Sequence, residues 1–74
     1  MNGMSMMLQG KTGDEFDAAF ITMMIPHHQG AIDMANDALK NAKHEELKQL
    51  ARDIIASQQR EIDMMKSWQE AWGY

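Results

Sequence analysis

Residues 23–28 read Met23-Met24-Ile25-Pro26-His27-His28, and the fold turns on whether one helix runs through Pro26. Proline has no N–H, and its ring crowds the carbonyl four residues back, here that of Thr22. Apolar residues nevertheless keep helical spacing on both sides: Phe16, Phe20 and Met24 before the proline, then Ala31, Ile32, Ala35 and Leu39 after it. An apolar stripe that holds its phase across Pro26 predicts one long, kinked helix rather than two helices and a loop. The freed Thr22 carbonyl then needs water, a side chain or a shifted backbone bond.

Working towards the N-terminus, this helix should begin near residues 12–14. Asp14 is a good N-cap, and Thr12 with Glu15 has capping-box spacing. Asp14, Glu15 and Asp17 place negative charge where the helix dipole favours it. Residues 1–13 hold Gly3, Gly10 and Gly13 and read as a flexible, methionine-rich arm carrying Met1, Met4, Met6 and Met7. The arm is either a frayed tail or a collector that passes metal on. Residues 14–74 form one domain.

Towards the C-terminus, Asn41 to Lys43 make a short connection. Lys40 and Lys43 close the first helix and Glu45 and Glu46 open a second, each with the charge its helix end favours. The second helix runs from about Glu45 to Ala71 without Gly or Pro. Its expected inner stripe is Leu47, Leu50, Ala51, Ile54, Gln58, Glu61, Ile62, Met65, Trp68 and Trp72. Two helices of similar length, roughly 40 Å at 1.5 Å per residue, joined by a short turn, predict an antiparallel helical hairpin. One hairpin buries a single seam per helix, so pairing two hairpins into a four-helix bundle is the economical way to cover the rest.

Composition narrows the function. Seventy-four residues make one domain at most, and so small a core usually needs a disulfide, a metal or a partner. There is no cysteine, which leaves metal, a partner or self-association. Net charge is −4 with no basic stripe, so nucleic acid is not expected as a partner. No apolar run is long enough to span a bilayer. The N-terminus lacks a signal-peptide pattern. The absence of thiols fits an oxidising, extracytoplasmic or periplasmic setting, with a signal removed or left out and Met1 an added start.

Nine methionines are many for this length, and their placement suggests chemistry. Residues at i and i+4 share a helix face, so Met23 pairs with His27 and Met24 with His28. Thioether plus imidazole is a soft, neutral donor set, and thioether selects Cu(I), or its analogue silver, over hard cations. Folding the hairpin back puts Gln58, Glu61, Met64 and Met65 at about the height of Met24. Met24, His28 and Met65 are expected to converge, with Met64 alongside. Glu61 interrupts the apolar stripe there, so it needs a partner, which His28 or a metal could supply. Met23, His27 and Met34 share a second face, suited to a second site or to one completed across a dimer. Taken singly, these methionines read as gap-filling core; the joint pattern favours ligation. Trp68 and Trp72 are expected to pack against Phe16 and Phe20 at the open end. His44, Asp17, Asp33 and Asp37 read as surface or helix-end groups.

The chain resembles the domain-of-unknown-function 305 family. The resemblance rests on Asp17-Ala18-Ala19-Phe20, Met24-Ile25-Pro26-His27-His28 and Ala31-Ile32-Asp33-Met34-Ala35, then Gln58-Gln59-Arg60-Glu61-Ile62-Asp63-Met64-Met65-Lys66-Ser67-Trp68. It covers roughly residues 14–72. It implies a ferritin-like helical bundle, an association with copper binding or resistance, and functional roles for Met24, His28, Met34, Glu61 and Met65. Longer members hold more than one such unit; a single unit implies a homodimer.

Three functions compete. The first is a non-enzymatic Cu(I)/Ag(I)-binding protein for buffering, resistance or delivery. The second is a ferritin-like metal-ion oxidase. A di-iron version needs Glu-x-x-His motifs, whereas Glu61 is followed three residues on by Met64. The third is an oligomerisation or interaction module that binds no metal. The first is the reading expected here.

Overall fold

The computed structural model describes residues 7–74. Met1, Met4 and Met6 of the expected arm lie outside the described residues. Among the described residues there is no strand, and two long helices pack against each other: α1, Gly13–Asn41, and α2, Glu45–Trp72. They run antiparallel across the short connection at residues 42–44. The expected helical hairpin is what forms, with α1 unbroken through Pro26.

The start of α1 differs from expectation. Thr12, not Asp14, occupies the N-cap position, and no side chain caps the helix. Gly13 has φ +59°, a left-handed value that glycine adopts without steric cost. Thr12 itself is extended, φ −146° and ψ 164°, as an N-cap residue is, but the left-handed Gly13 follows it and the Thr12–Glu15 box makes no side-chain cap bond. Within the helix, the Thr22 hydroxyl donates to the Ala18 carbonyl at 2.8 Å.

At the other end of the hairpin, α2 stops at Gly73, φ +75°, where the backbone N–H of Tyr74 donates to the Gln69 carbonyl at 2.9 Å. The Tyr74 hydroxyl then donates to Asp14 at 3.0 Å. This bond ties the end of α2 to the first turn of α1.

The core is thin. Ile21, His28, Ile32 and Ala35 of α1 are buried against Ala51, Ile62 and Met65 of α2. Ile21 belongs to this core although the apolar spacing around Phe20 did not single it out. Conversely, Leu47, Leu50 and Trp72 of the expected inner stripe remain about half exposed. The stripe is wider than the strip of α2 that α1 covers. Phe16 stacks on Phe20 and Trp68 on Trp72, each along its own helix, and all four line the same groove between the helices. No described helix is long and apolar enough to cross a membrane.

Pro26 is exposed and sits where every other residue type would add a backbone hydrogen bond. Pro26→Ala should therefore raise unfolding free energy by about 1–3 kcal/mol in urea denaturation; a loss of stability would show that the proline's geometry is required. The Tyr74 phenol is held above its ordinary pKa of 10.0, by partial desolvation first and then by its bond to Asp14. Its stabilising effect is full below that ordinary value and is lost as pH rises through the raised one. Asp14→Asn should bring the phenolate transition, followed by ultraviolet absorbance, back towards the ordinary value.

Candidate metal centre

His28 is the one buried polar side chain among the described residues, at 7 % exposure. It reaches this position because it shares a helical face with Ile21, Ile32 and Ala35, which form the buried side of α1. A buried imidazole needs partners for its nitrogens. Nδ1 lies 2.9 Å from the Met24 carbonyl oxygen, one turn back. A carbonyl only accepts, so Nδ1–H donates. Nε2 lies 2.8 Å from Oε1 of Glu61 on α2, 33 residues away in the chain. Glu61 is half exposed, with its side chain at the hairpin surface. The ring thus bridges the two helices at mid-length.

The direction of these bonds has a chemical consequence. With Nδ1–H committed to the Met24 carbonyl, Nε2 is the nitrogen left to offer a lone pair. Metal-binding histidines characteristically donate their other N–H to a carbonyl or carboxylate, which fixes tautomer and ring orientation. In the hairpin, Nε2 faces a carboxylate oxygen, that of Glu61. Both contacts are hydrogen bonds together when the ring carries two protons or Glu61 carries one. A metal held at Nε2 would take the place of that shared proton, since a ligating imidazole nitrogen must be deprotonated.

Around the pair lies a groove of about 650 Å³ between the helices. Met24, His28, Glu61, Met64 and Met65 all line it, together with Phe16, Phe20, Trp68 and Trp72. Five of the eight expected site residues therefore come together. Met23, His27 and Met34 do not join them. Met23 is half buried, His27 is exposed and Met34 is 74 % exposed. The His27 and His28 ring centroids are nonetheless only 6.4 Å apart. Asp17, which read as a helix-start charge, also lines the groove. Its spacing of seven residues from Met24 is the signal that places it there.

The donor set decides which ions this groove suits. Among the described residues, no three His, Cys, Asp or Glu side chains gather around one point. A hard oxygen cage or a zinc-type cluster of such groups is thus missing from the described part of one chain. One imidazole, three thioethers and the carboxylates of Asp17 and Glu61 do line a common groove, and the imidazole with the thioethers is a soft set. The aromatic walls present apolar surface and Trp faces, which attract cations.

Fold and site together define a two-helix protein whose central histidine is held by a backbone carbonyl and aimed at a thioether-lined groove. The chain belongs to the family described as Domain of unknown function (DUF305), whose profile matches residues 1–73. An uncharacterized protein of Acanthamoeba polyphaga mimivirus is 47 % identical over 51 residues, covering 69 % of this chain and 34 % of that protein. The chain spans about a third of that relative's length. No solved structure gives a significant match.

The His28–Glu61 contact should show the asymmetry of a buried polar pair. Glu61→Leu leaves Nε2 without its partner and should lower unfolding free energy by about 1 kcal/mol. The double variant Glu61→Leu/His28→Leu should recover much of that loss. Simple additivity of the two single variants in denaturant unfolding would mean that the pair is not coupled.

Proposed function

We propose that this protein binds a soft monovalent metal ion, Cu(I) with Ag(I) as analogue, as cargo for copper buffering, resistance or delivery. The observation that carries the reading is the orientation of His28: Nδ1–H is fixed on the Met24 carbonyl, and Nε2 meets Glu61 in a groove that Met24, Met64 and Met65 also line. His28 Nε2 and the thioethers are the ligands. Glu61 is the proton partner that the incoming ion displaces, and it stays close enough to balance the ion's charge. Neutral donors hold Cu(I) without needing thiolates to stay reduced, which suits a periplasmic or other extracytoplasmic location.

No redox turnover is part of this reading. The paired Glu-x-x-His motifs of di-iron carboxylate proteins have no counterpart here: Met64 stands where the histidine would follow Glu61. We further propose that two hairpins pair as a ferritin-like four-helix homodimer. Large apolar side chains left exposed along both helices, Phe20, Leu47, Leu50 and Trp68 among them, support that pairing.

A second reading, a helical interaction module that binds no metal, is favoured by the same exposed apolar surface and by the fact that His28 is already satisfied by protein partners. Anaerobic Cu(I) titration against a chromophoric chelator separates the two. The wild-type protein should compete for the ion and saturate. Met24→Leu/His28→Ala should bind at least tenfold more weakly, about 1.4 kcal/mol, with helicity by circular dichroism nearly unchanged. Retained affinity in the double variant, or no competition by the wild type, would reject the metal site.

A further inference from the structure

Every phenylalanine, tryptophan and tyrosine of the chain sits at the open end of the hairpin, away from the turn. On α1, Phe16 and Phe20 stack with 6.1 Å between ring centroids and 20° between planes. On α2, Trp68 and Trp72 stack at 5.5 Å and 10°. Both pairs line the groove between the helices. Tyr74 packs edge-on against Trp72 at 5.8 Å, and its bond to Asp14 joins the two helix ends. Folding does not use these rings up: Phe20 is 39 % exposed, Trp68 39 % and Trp72 52 %.

The charge at this end has one sign. Asp17 stands between the two phenylalanines in sequence and lines the groove, and its carboxylate has no ion-pair partner among the described residues. No lysine or arginine lines the groove. Lys11, ahead of α1, is engaged with the Met7 carbonyl at 3.0 Å. The Tyr74 phenol registers the same field: desolvation, then its bond to Asp14, then the charges of Asp14 and Asp17 hold it above its ordinary pKa. Glu45, beside the turn, shows the contrast, because Arg52 neutralises its carboxylate at 2.6 Å.

Accessible stacked rings beside an unpaired carboxylate select a particular chemistry. The faces of aromatic rings carry negative charge and attract cations, Trp most strongly. A methylated ammonium spreads its charge over its methyl groups and lies against such a face without shedding a tight water shell. An anion is repelled by Asp17, and a neutral apolar molecule leaves that carboxylate unanswered. The whole groove, about 650 Å³, falls within the roughly 300–1,000 Å³ of small-molecule sites. Phe20 precedes His28 by eight residues and Trp68 follows Glu61 by seven. That is roughly 10–12 Å along the helices, so the aromatic end is separate from the donors at mid-length.

We propose that the aromatic end of the groove binds a small organic cation, a methylated ammonium with an aromatic body, its charge held on the Trp68 and Trp72 faces beside Asp17. The aromatic body fills the space lined by the phenylalanine and tryptophan pairs. Asp17 supplies the counter-charge that no basic residue of the groove already claims. This goes beyond the soft-metal reading and does not rest on it, since none of Phe16, Asp17, Phe20, Trp68 and Trp72 is a ligand there.

Trp68 and Trp72 are the two tryptophans of the chain, so intrinsic fluorescence reports on the site directly. The test titrates the whole chain with benzyltrimethylammonium, with benzyl alcohol as the neutral counterpart and benzoate as the anionic one. The expected result is a saturable change with the cation, binding at least tenfold weaker with the alcohol, and none with benzoate. Asp17→Asn, at an exposed position, weakens cation binding at least fivefold while helicity by circular dichroism and the response to Ag(I) stay as in the wild type. Trp72→Leu, half exposed in the hairpin and followed through Trp68, weakens it by a similar factor. Quenching that rises linearly without saturating, equal affinity for cation and alcohol, or unchanged cation affinity in Asp17→Asn each overturns the proposal. So does fluorescence that responds to protein concentration and ignores the cation, because a second copy then covers the rings. A wild type that binds the cation but not Ag(I) overturns the soft-metal reading and upholds this one.

Discussion

A single imidazole in an otherwise apolar two-helix core constrains everything around it. His28 is too buried to be solvated, so each ring nitrogen must find a protein partner. One is the carbonyl of Met24 on its own helix and the other is Glu61 on the opposite helix. Unlike the contacts of Ile32 or Ile62, which tolerate sliding, this pair has a distance and a direction. It sets the register of α1 against α2 at mid-length, and it also decides which nitrogen is left for chemistry. Structural and functional roles therefore meet in one side chain.

The second constraint is size. A chain of 74 residues folded as a hairpin offers one buried seam, and the core holds six apolar residues buried below the surface. Such a core is marginal without reinforcement. Cysteine is absent, so disulfides do not reinforce it, and the reinforcement proposed is a bound ion, a second copy, or both. Ion binding and association would then be linked, since whatever binds only the paired state stabilises it.

Much of this was legible in the sequence, for physical reasons that also mark where legibility stops. Helical phase held across Pro26, so a single long α1 could be read directly. Counting outward from the turn put Glu61 opposite His28, because an antiparallel hairpin with a short connection leaves little freedom in height. The left-handed entry at Gly13 was not legible, since a capping-box pattern competes there and only the backbone path decides. Nor could a helical wheel tell an inner seam from an adjacent one. Leu47 and Leu50 have the same spacing whether covered by their own chain or by another, and both are left exposed. The same ambiguity separates Met24 and His28, which line the groove, from Met23 and His27 one position earlier, which do not.

The most direct measurement is long-range ¹H–¹⁵N NMR of the histidine side chains during titration with Ag(I). If His28 Nε2 is the ligand, its nitrogen resonance moves on saturation while Nδ1 keeps the signature of a protonated donor to the Met24 carbonyl, and methionine methyl signals of Met24, Met64 and Met65 shift in step. A change at Nδ1, a response confined to His44, or histidine and methionine signals that ignore the ion would contradict a soft-metal site built on His28.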